Sequence, residues 1–184
     1  MKIAILGWSL LTWETDKNQS RGFVIKGDWN SDGPELPIEF LRRSLDGRII
    51  LVIHPGSKPV TTLWAESGFD FLNKAIGNLR KREGTIEENI GFVDLTTNRR
   101  RTKFPSIISI IKTWALDKGF DGVIWTEFKS NITEQDGTIE GLKNLIHQSS
   151  SVEQESIKSY ILSTPTQIQT DYRDYLQDYL ENEL

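Results

Sequence analysis

Leu36-Pro37-Ile38-Glu39-Phe40, Asp46-Gly47, Ile49-Ile50-Leu51-Val52-Ile53, Pro55-Gly56 and Val60–Trp64 follow one another along the chain and decide its fold class. Leu36, Ile38 and Phe40 alternate with Pro37 and Glu39, which predicts a half-buried strand. Asp46-Gly47 is a favoured hairpin turn. Ile49 to Ile53 is apolar throughout and predicts a central strand, turned at Pro55-Gly56 into a further strand over Val60–Trp64. Upstream, Ile3 to Leu6 is an apolar run ending at Gly7 and predicts a buried first strand with a tight loop after it. Residues 14 to 35 are polar and read as a long loop with a short strand at Phe23–Ile25. Downstream the period changes. Leu72, Ile76 and Leu79 predict an amphipathic helix over 69–83. Strands over Ile90–Leu95 and Val123–Trp125 enclose a helix that starts at Pro105 and stops at Gly119. Helices over 139–147, 152–162 and 172–180 follow, with the serine triplet 149–151 as a linker. Hairpins early and helices late argue for an α+β fold rather than a regular parallel α/β one. One α+β domain over 1–148 and a helical C-terminal extension over 149–184 packed on it is the expected organisation.

The chain has 184 residues, no cysteine and two histidines, His54 and His147. That excludes thiolate nucleophiles, disulfides and iron–sulfur clusters, and leaves no local HxxxH-type motif. The formal charge is −4, from 26 acids and 22 bases. Residues 171–184 carry five acids and one arginine, so the rest of the chain is neutral. No basic nucleic-acid footprint is therefore expected. No signal peptide and no apolar run long enough to span a membrane is found, so a cytoplasmic location is expected.

Chemistry must then rest on carboxylates, hydroxyls, lysines or backbone groups. One further step of four along Leu72, Ile76 and Leu79 lands on Glu83, placing a carboxylate on the buried helix face. Arg80, Lys81 and Arg82 are expected to point elsewhere. Burial raises a carboxylate's pKa toward that of a useful general base. Two plainer readings stay open: Glu83 is solvated at a frayed end, or it pairs with a nearby arginine. The second feature is the loop Gly7-Trp8-Ser9-Leu10-Leu11, whose glycine lets backbone N–H groups approach an anion or carbonyl, or simply makes a tight turn. Trp8, Trp13 and Trp29 lie near it and are candidate pocket walls, while Trp64, Trp114 and Trp125 read as core. Arg99-Arg100-Arg101 with Lys103 reads as a solvated basic loop, Asp121 and Glu127 as turn and edge residues, and His54 as a hydrogen-bonded structural histidine. Tyr172, Tyr175 and Tyr179 form a packing stripe on the last helix.

Ile5-Leu6-Gly7-Trp8-Ser9-Leu10-Leu11-Thr12-Trp13 resembles the first-strand motif of gamma-glutamylcyclotransferase-like proteins. The ChaC-type branch of that family reads Gly-Tyr-Gly-Ser-Leu followed by Trp. Leu79-Arg80-Lys81-Arg82-Glu83-Gly84 resembles the family's helix end, whose glutamate is the catalytic acid/base. The resemblance spans residues 1 to 97. Without a gap, Ser9 takes the place of the motif's glycine and Leu10 that of its serine; with a one-residue deletion Ser9 matches the serine and Trp13 falls out of register, so either way the loop is altered. The resemblance implies a small mixed β-barrel or sheet with flanking helices and a pocket between the first loop and Glu83. It implies release of 5-oxoproline from a gamma-glutamyl amine or peptide by intramolecular aminolysis. Glu83 would be catalytic, Gly7, Trp8, Ser9 and Leu10 would bind substrate, and no metal or organic cofactor would be needed. The alternative is a non-catalytic module holding a small metabolite or nucleotide on the same scaffold. The expected partner is a small molecule, with no nucleic acid and no membrane, and a homodimer is the oligomer to test for.

Overall fold

The computed structural model describes residues 1–184 apart from the Lys17 side chain. The fold is mixed α+β. Its strands are β1 (Ile3–Gly7), β2 (Ile25–Asn30), β3 (Glu35–Arg43), β4 (Ile49–Ile53), β5 (Pro59–Thr61), β6 (Leu63–Ser67), β7 (Ile90–Asp94), β8 (Arg100–Arg101) and β9 (Gly122–Thr126). Its helices are α1 (Thr15–Ser20), α2 (Leu72–Glu83), α3 (Ile108–Asp117), α4 (Ile139–His147), α5 (Ser151–Ser163) and α6 (Arg173–Asn182). The strands divide between a six-stranded sheet, ordered β2-β6-β1-β9-β7-β8, and a three-stranded sheet, ordered β4-β3-β5. The expected barrel is not formed, because neither sheet closes on itself. Among the described residues no helix is long and apolar enough to cross a membrane.

Sequence suggests a boundary at residue 148, whereas contacts in the folded chain group residues into two interleaved units. The first holds Met1–Leu36 and Thr61–Phe128, the second Pro37–Val60 and Lys129–Leu184.

In the first unit β1 and β9 are parallel neighbours, with Ile3 beside Gly122 and Ile5 beside Ile124. The other pairings in this sheet are antiparallel. Ile3, Ile5, Ile90 and Ile124 share one face and pack with Leu11 and with Leu72, Ala75, Ile76 and Leu79 of α2. The polar stretch expected to be loop contains α1 and β2, and Ile25 and Trp29 pack on that core. The expected single strand over Val60–Trp64 is two strands in two sheets. Its break is Thr62, whose N–H and Oγ1 both donate to the Pro34 carbonyl, at 3.2 and 2.8 Å, instead of continuing a ladder.

In the second unit Ile38 pairs with Ile53 and Phe40 with Leu51 across β3 and β4. Tyr160 of α5 meets Phe40 edge-on at 6.3 Å, and its hydroxyl accepts from the Leu51 N–H at 3.2 Å. β3 is not half-buried as its alternation predicts. Glu39, on the expected solvent side, is 1% exposed. Its carboxylate accepts from Thr170 Oγ1 at 2.6 Å, from its neighbour's N–H, Phe40, at 2.8 Å and from the Tyr172 N–H at 3.3 Å. The serine triplet is no linker. Ser150 caps α5 in a reciprocal box with Glu153.

Candidate functional site

α2 carries an apolar stripe into a charged end. Leu72, Ala75, Ile76 and Leu79 are buried, and the next buried position is Arg82, at 1% exposure. A step of three from Leu79 stays on the face as well as a step of four does. The expectation that Arg82 points elsewhere is therefore corrected: Arg82 turns inward. Its Nε donates to Asn18 Oδ1 at 2.6 Å, its Nη1 to Glu83 Oε1 at 3.1 Å and its Nη2 to Glu14 Oε2 at 3.4 Å. The Glu83 side chain is 13% exposed. The arginine-paired reading of Glu83 is the one the structure contains. Gly84 ends the helix at φ +64°, a left-handed conformation that glycine adopts without strain. Arg21 Nη1 donates to the Arg82 carbonyl at 2.9 Å, which satisfies an end-of-helix acceptor.

The loop after β1 lies beside this end. Asn18, which receives Arg82, donates through Nδ2 to the Leu11 carbonyl at 2.9 Å. Leu10–Thr12 form one 3-10 turn. Ser9 precedes it with an extended backbone and makes no side-chain cap. Ser9 and Leu10 are partly exposed, and Trp8 is buried. Gly7 has close neighbours of its own. A Cβ there would stand 2.6 Å from Thr12 Cγ2 and 2.7 Å from Trp29 Cζ3. Its missing side chain makes room for those two residues.

The strand register and helix direction place these features at one edge of the sheet. Leu72 at the start of α2 lies near Gly122 at the start of β9. Arg82 at its end reaches the loop that follows β1. α2 therefore runs in the direction of β1 and β9 and ends where they end. Over its eleven steps the helix advances roughly 16 Å, about what the five strand steps from Gly122 to Glu127 cover. The carboxyl ends of adjacent parallel strands are where open sheets commonly bind ligands.

A second carboxylate stands at that edge. Glu127 is 0% exposed, so the expectation of an edge residue is corrected. Its carboxylate accepts from Thr102 Oγ1 and the Lys103 N–H, each at 2.8 Å, and from Trp125 Nε1 at 3.1 Å. Burial pushes its pKa above the ordinary carboxylate value, and the three hydrogen bonds oppose that rise. Lys103 Nζ donates to the Glu127 carbonyl at 3.1 Å and to Asn89 Oδ1. Glu127 has its donors supplied internally, so it pins residues 102–103 to β9. The alternation Val123, Trp125, Glu127 carries the signal, since one face of a strand that opens apolar continues inward.

The basic loop is less solvated than expected. Arg100 is exposed, but Arg101 Nε donates to the Ile90 carbonyl at 3.0 Å and its Nη1 pairs with Glu87 at 3.1 Å. Trp125 is core, whereas Trp64 and Trp114 are half-buried and make an edge contact at 5.9 Å. Both indoles are held by Asp32, through its side chain for Trp64 and its carbonyl for Trp114. His54 Nδ1 lies 3.1 Å from Ser57 Oγ within a hairpin turn. On the last helix Tyr179 is buried and Tyr175 exposed, so the tyrosine stripe packs only in part. Among the described residues no group of three or more His, Asp or Glu side chains could hold a metal ion.

Comparison with family models, with curated proteins and with solved structures finds no match.

Proposed function

We propose that this chain is a gamma-glutamylcyclotransferase-like protein, with its fold a variant of that family's. It would release 5-oxoproline from a gamma-glutamyl amine or peptide. The observation that carries the reading is the hydrogen-bond chain Leu11–Asn18–Arg82–Glu83, which joins the loop after β1 to the helix-end carboxylate. These are the two segments that bear the family resemblance.

The chemistry asks little of the protein. The substrate's α-ammonium gives a proton to Glu83, and the freed amine attacks the γ-carbonyl carbon. The new C–N bond closes the five-membered ring. The bond to the leaving amine then breaks as Glu83 returns the proton to it, and the second proton of the ring nitrogen passes to the released amine, which leaves as an ammonium. Backbone N–H groups of residues 8 to 10 are the donors for the developing oxyanion. Glu14 and Glu83 share the Arg82 guanidinium, and a carboxylate is the group that receives an ammonium.

The same ion pair favours a second reading. Ion pairs of this kind also serve purely structural roles. A small-molecule binding module would need only the charge. The test measures 5-oxoproline release from a panel of gamma-glutamyl compounds, together with ligand-induced melting shifts. Release by wild type and its loss in Glu83→Gln supports the enzyme. A melting shift that survives Glu83→Gln, with no turnover by wild type, supports the binding module. Neither turnover nor a shift rejects both. A cytoplasmic location and a homodimer belong to the same proposal, and cell fractionation and sedimentation test them.

A further inference from the structure

Two side-chain donors at the carboxyl edge of the first unit are buried and lack a hydrogen-bond partner: Arg101 Nη2 and Thr126 Oγ1. They share a face. Thr126 lies directly opposite Ile90 across β9 and β7, and Arg101 lies opposite Phe92 across β8 and β7. Ile90 belongs to the core that α2 covers, and Phe92 packs against it. The Arg101 guanidinium sits 5.2 Å from the centre of the Phe92 ring while its Nε reaches the Ile90 carbonyl. It therefore leans along β7 toward the row that holds Thr126, which stands on β9, one strand spacing of about 5 Å beyond β7. Only its Nη1 is used by an acid, Glu87, whose side chain is largely solvent-exposed.

Most buried polar groups in folded proteins are satisfied, so two orphans on one patch require an explanation. An explanation by local packing would predict apolar residues here. A valine would replace Thr126 with no loss of shape, and nothing on β7 or β9 needs its hydroxyl. A guanidinium N–H and a hydroxyl are both donors that a carboxylate accepts. The patch also lies at the end of the sheet where α2 delivers Glu83, so an ammonium and a carboxylate of one substrate would find complementary partners. We propose that Arg101 and Thr126 form a carboxylate-binding subsite for the substrate of this edge. The inference rests on the reading of the site given above, and it names the substrate's anionic end. The Arg101 side chain is 31% exposed, so its guanidinium can turn toward an entering ligand without unpacking the core.

The experiment follows melting temperature with 5-oxoproline, its carboxamide and inorganic phosphate as separate probes, and follows KM for any gamma-glutamyl compound that turns over. The proteins are wild type, Arg101→Gln, Arg101→Lys, Thr126→Val and Glu83→Gln. The expected result is a shift with 5-oxoproline and none with the carboxamide or phosphate. Arg101→Gln and Thr126→Val should each weaken binding or raise KM by about tenfold, and Arg101→Lys by less. Thr126→Val without ligand should melt no lower than wild type, because the valine removes an unpaired buried hydroxyl. That readout separates ligand loss from misfolding. Binding that depends on Arg101 and persists in Glu83→Gln without turnover in wild type keeps the subsite and rejects the enzyme. Turnover with KM unchanged in both Arg101→Gln and Thr126→Val keeps the enzyme and overturns the subsite. Equal shifts with the carboxamide or with phosphate, or none with 5-oxoproline, also overturn it.

Discussion

Arg82→Met removes a guanidinium that links the end of α2, the Glu14 carboxylate and, through Asn18, the loop after β1. Arg82 is buried and gives side-chain hydrogen bonds to Asn18, Glu83 and Glu14. Removing one member of a fully buried ion pair costs roughly 3–5 kcal/mol, most of it from the charge left behind. Here the stranded carboxylates can recover some hydration, since their side chains are 13% and 31% exposed. Methionine also refills the apolar part of the volume. A loss of about 2–3 kcal/mol follows, just below that range. In a chain of this length that corresponds to a fall in Tm of roughly 5–10 °C. Urea unfolding followed by tryptophan emission measures it, as a lower midpoint with an unchanged slope. Glu83→Gln alone should cost less, because Arg82 keeps Glu14 and Asn18. In the double variant the two effects should not add. A loss below about 0.5 kcal/mol in Arg82→Met would be that of an ordinary surface change, and it would refute the buried-hub account.

Gly7→Ala should destabilise by about 1–2 kcal/mol, because its methyl group meets Thr12 and Trp29 well inside contact distance. A thermal melt equal to wild type would show that Gly7 serves something other than this packing. Two buried carboxylates should give opposite pH responses. Burial alone would raise the Asp94 pKa, but hydrogen bonds from Thr97 and Thr96 outweigh it and hold the group at about 2, against an ordinary 3.8. Its contribution to stability is complete above pH 3.8 and is lost as pH falls through about 2, so Asp94→Asn should flatten that acid limb. Burial raises Glu39 above its ordinary 4.5 despite its three hydrogen bonds. Its contribution is complete below pH 4.5 and is lost as pH rises through the folded-state value, so Glu39→Gln should remove that decline. Stability curves between pH 2 and 7 for both variants check the signs, and a shared direction would contradict them.

The regular elements were legible because their patterns are local. Apolar runs, hairpin turns and the α2 stripe located β1, β3, β4, β7, β9 and the five longer helices. What escaped depends on partners far away in sequence. Nothing around Thr62 marks a break, since no glycine or proline stands there and the cause is the carbonyl of Pro34. α1 lacks an apolar face, so periodicity has nothing to detect in Thr15–Ser20. Glu39 reads as solvent-facing until residues 170–172 cover it. The candidate site was legible to the same depth. The stripe on α2 led to its last turn but not to the choice between Arg82 and Glu83, because a buried arginine is decided by Asn18 and Glu14. Thr126 and Arg101 were hidden for a different reason: an unmet hydrogen bond has no sequence pattern.

The interleaving of the two units has a consequence for synthesis. The strands β3 and β4 leave the ribosome early, yet the helices that complete their unit begin only after residue 128. About 70 residues of the other unit intervene, which at roughly 5–20 residues per second is a delay of seconds. Throughout that delay the apolar side chains of Ile38, Phe40, Leu51 and Ile53 have a strand partner but no helical cover. The nascent chain is then at its most sticky, and a holdase acting in that interval would protect it better than one acting on the finished protein.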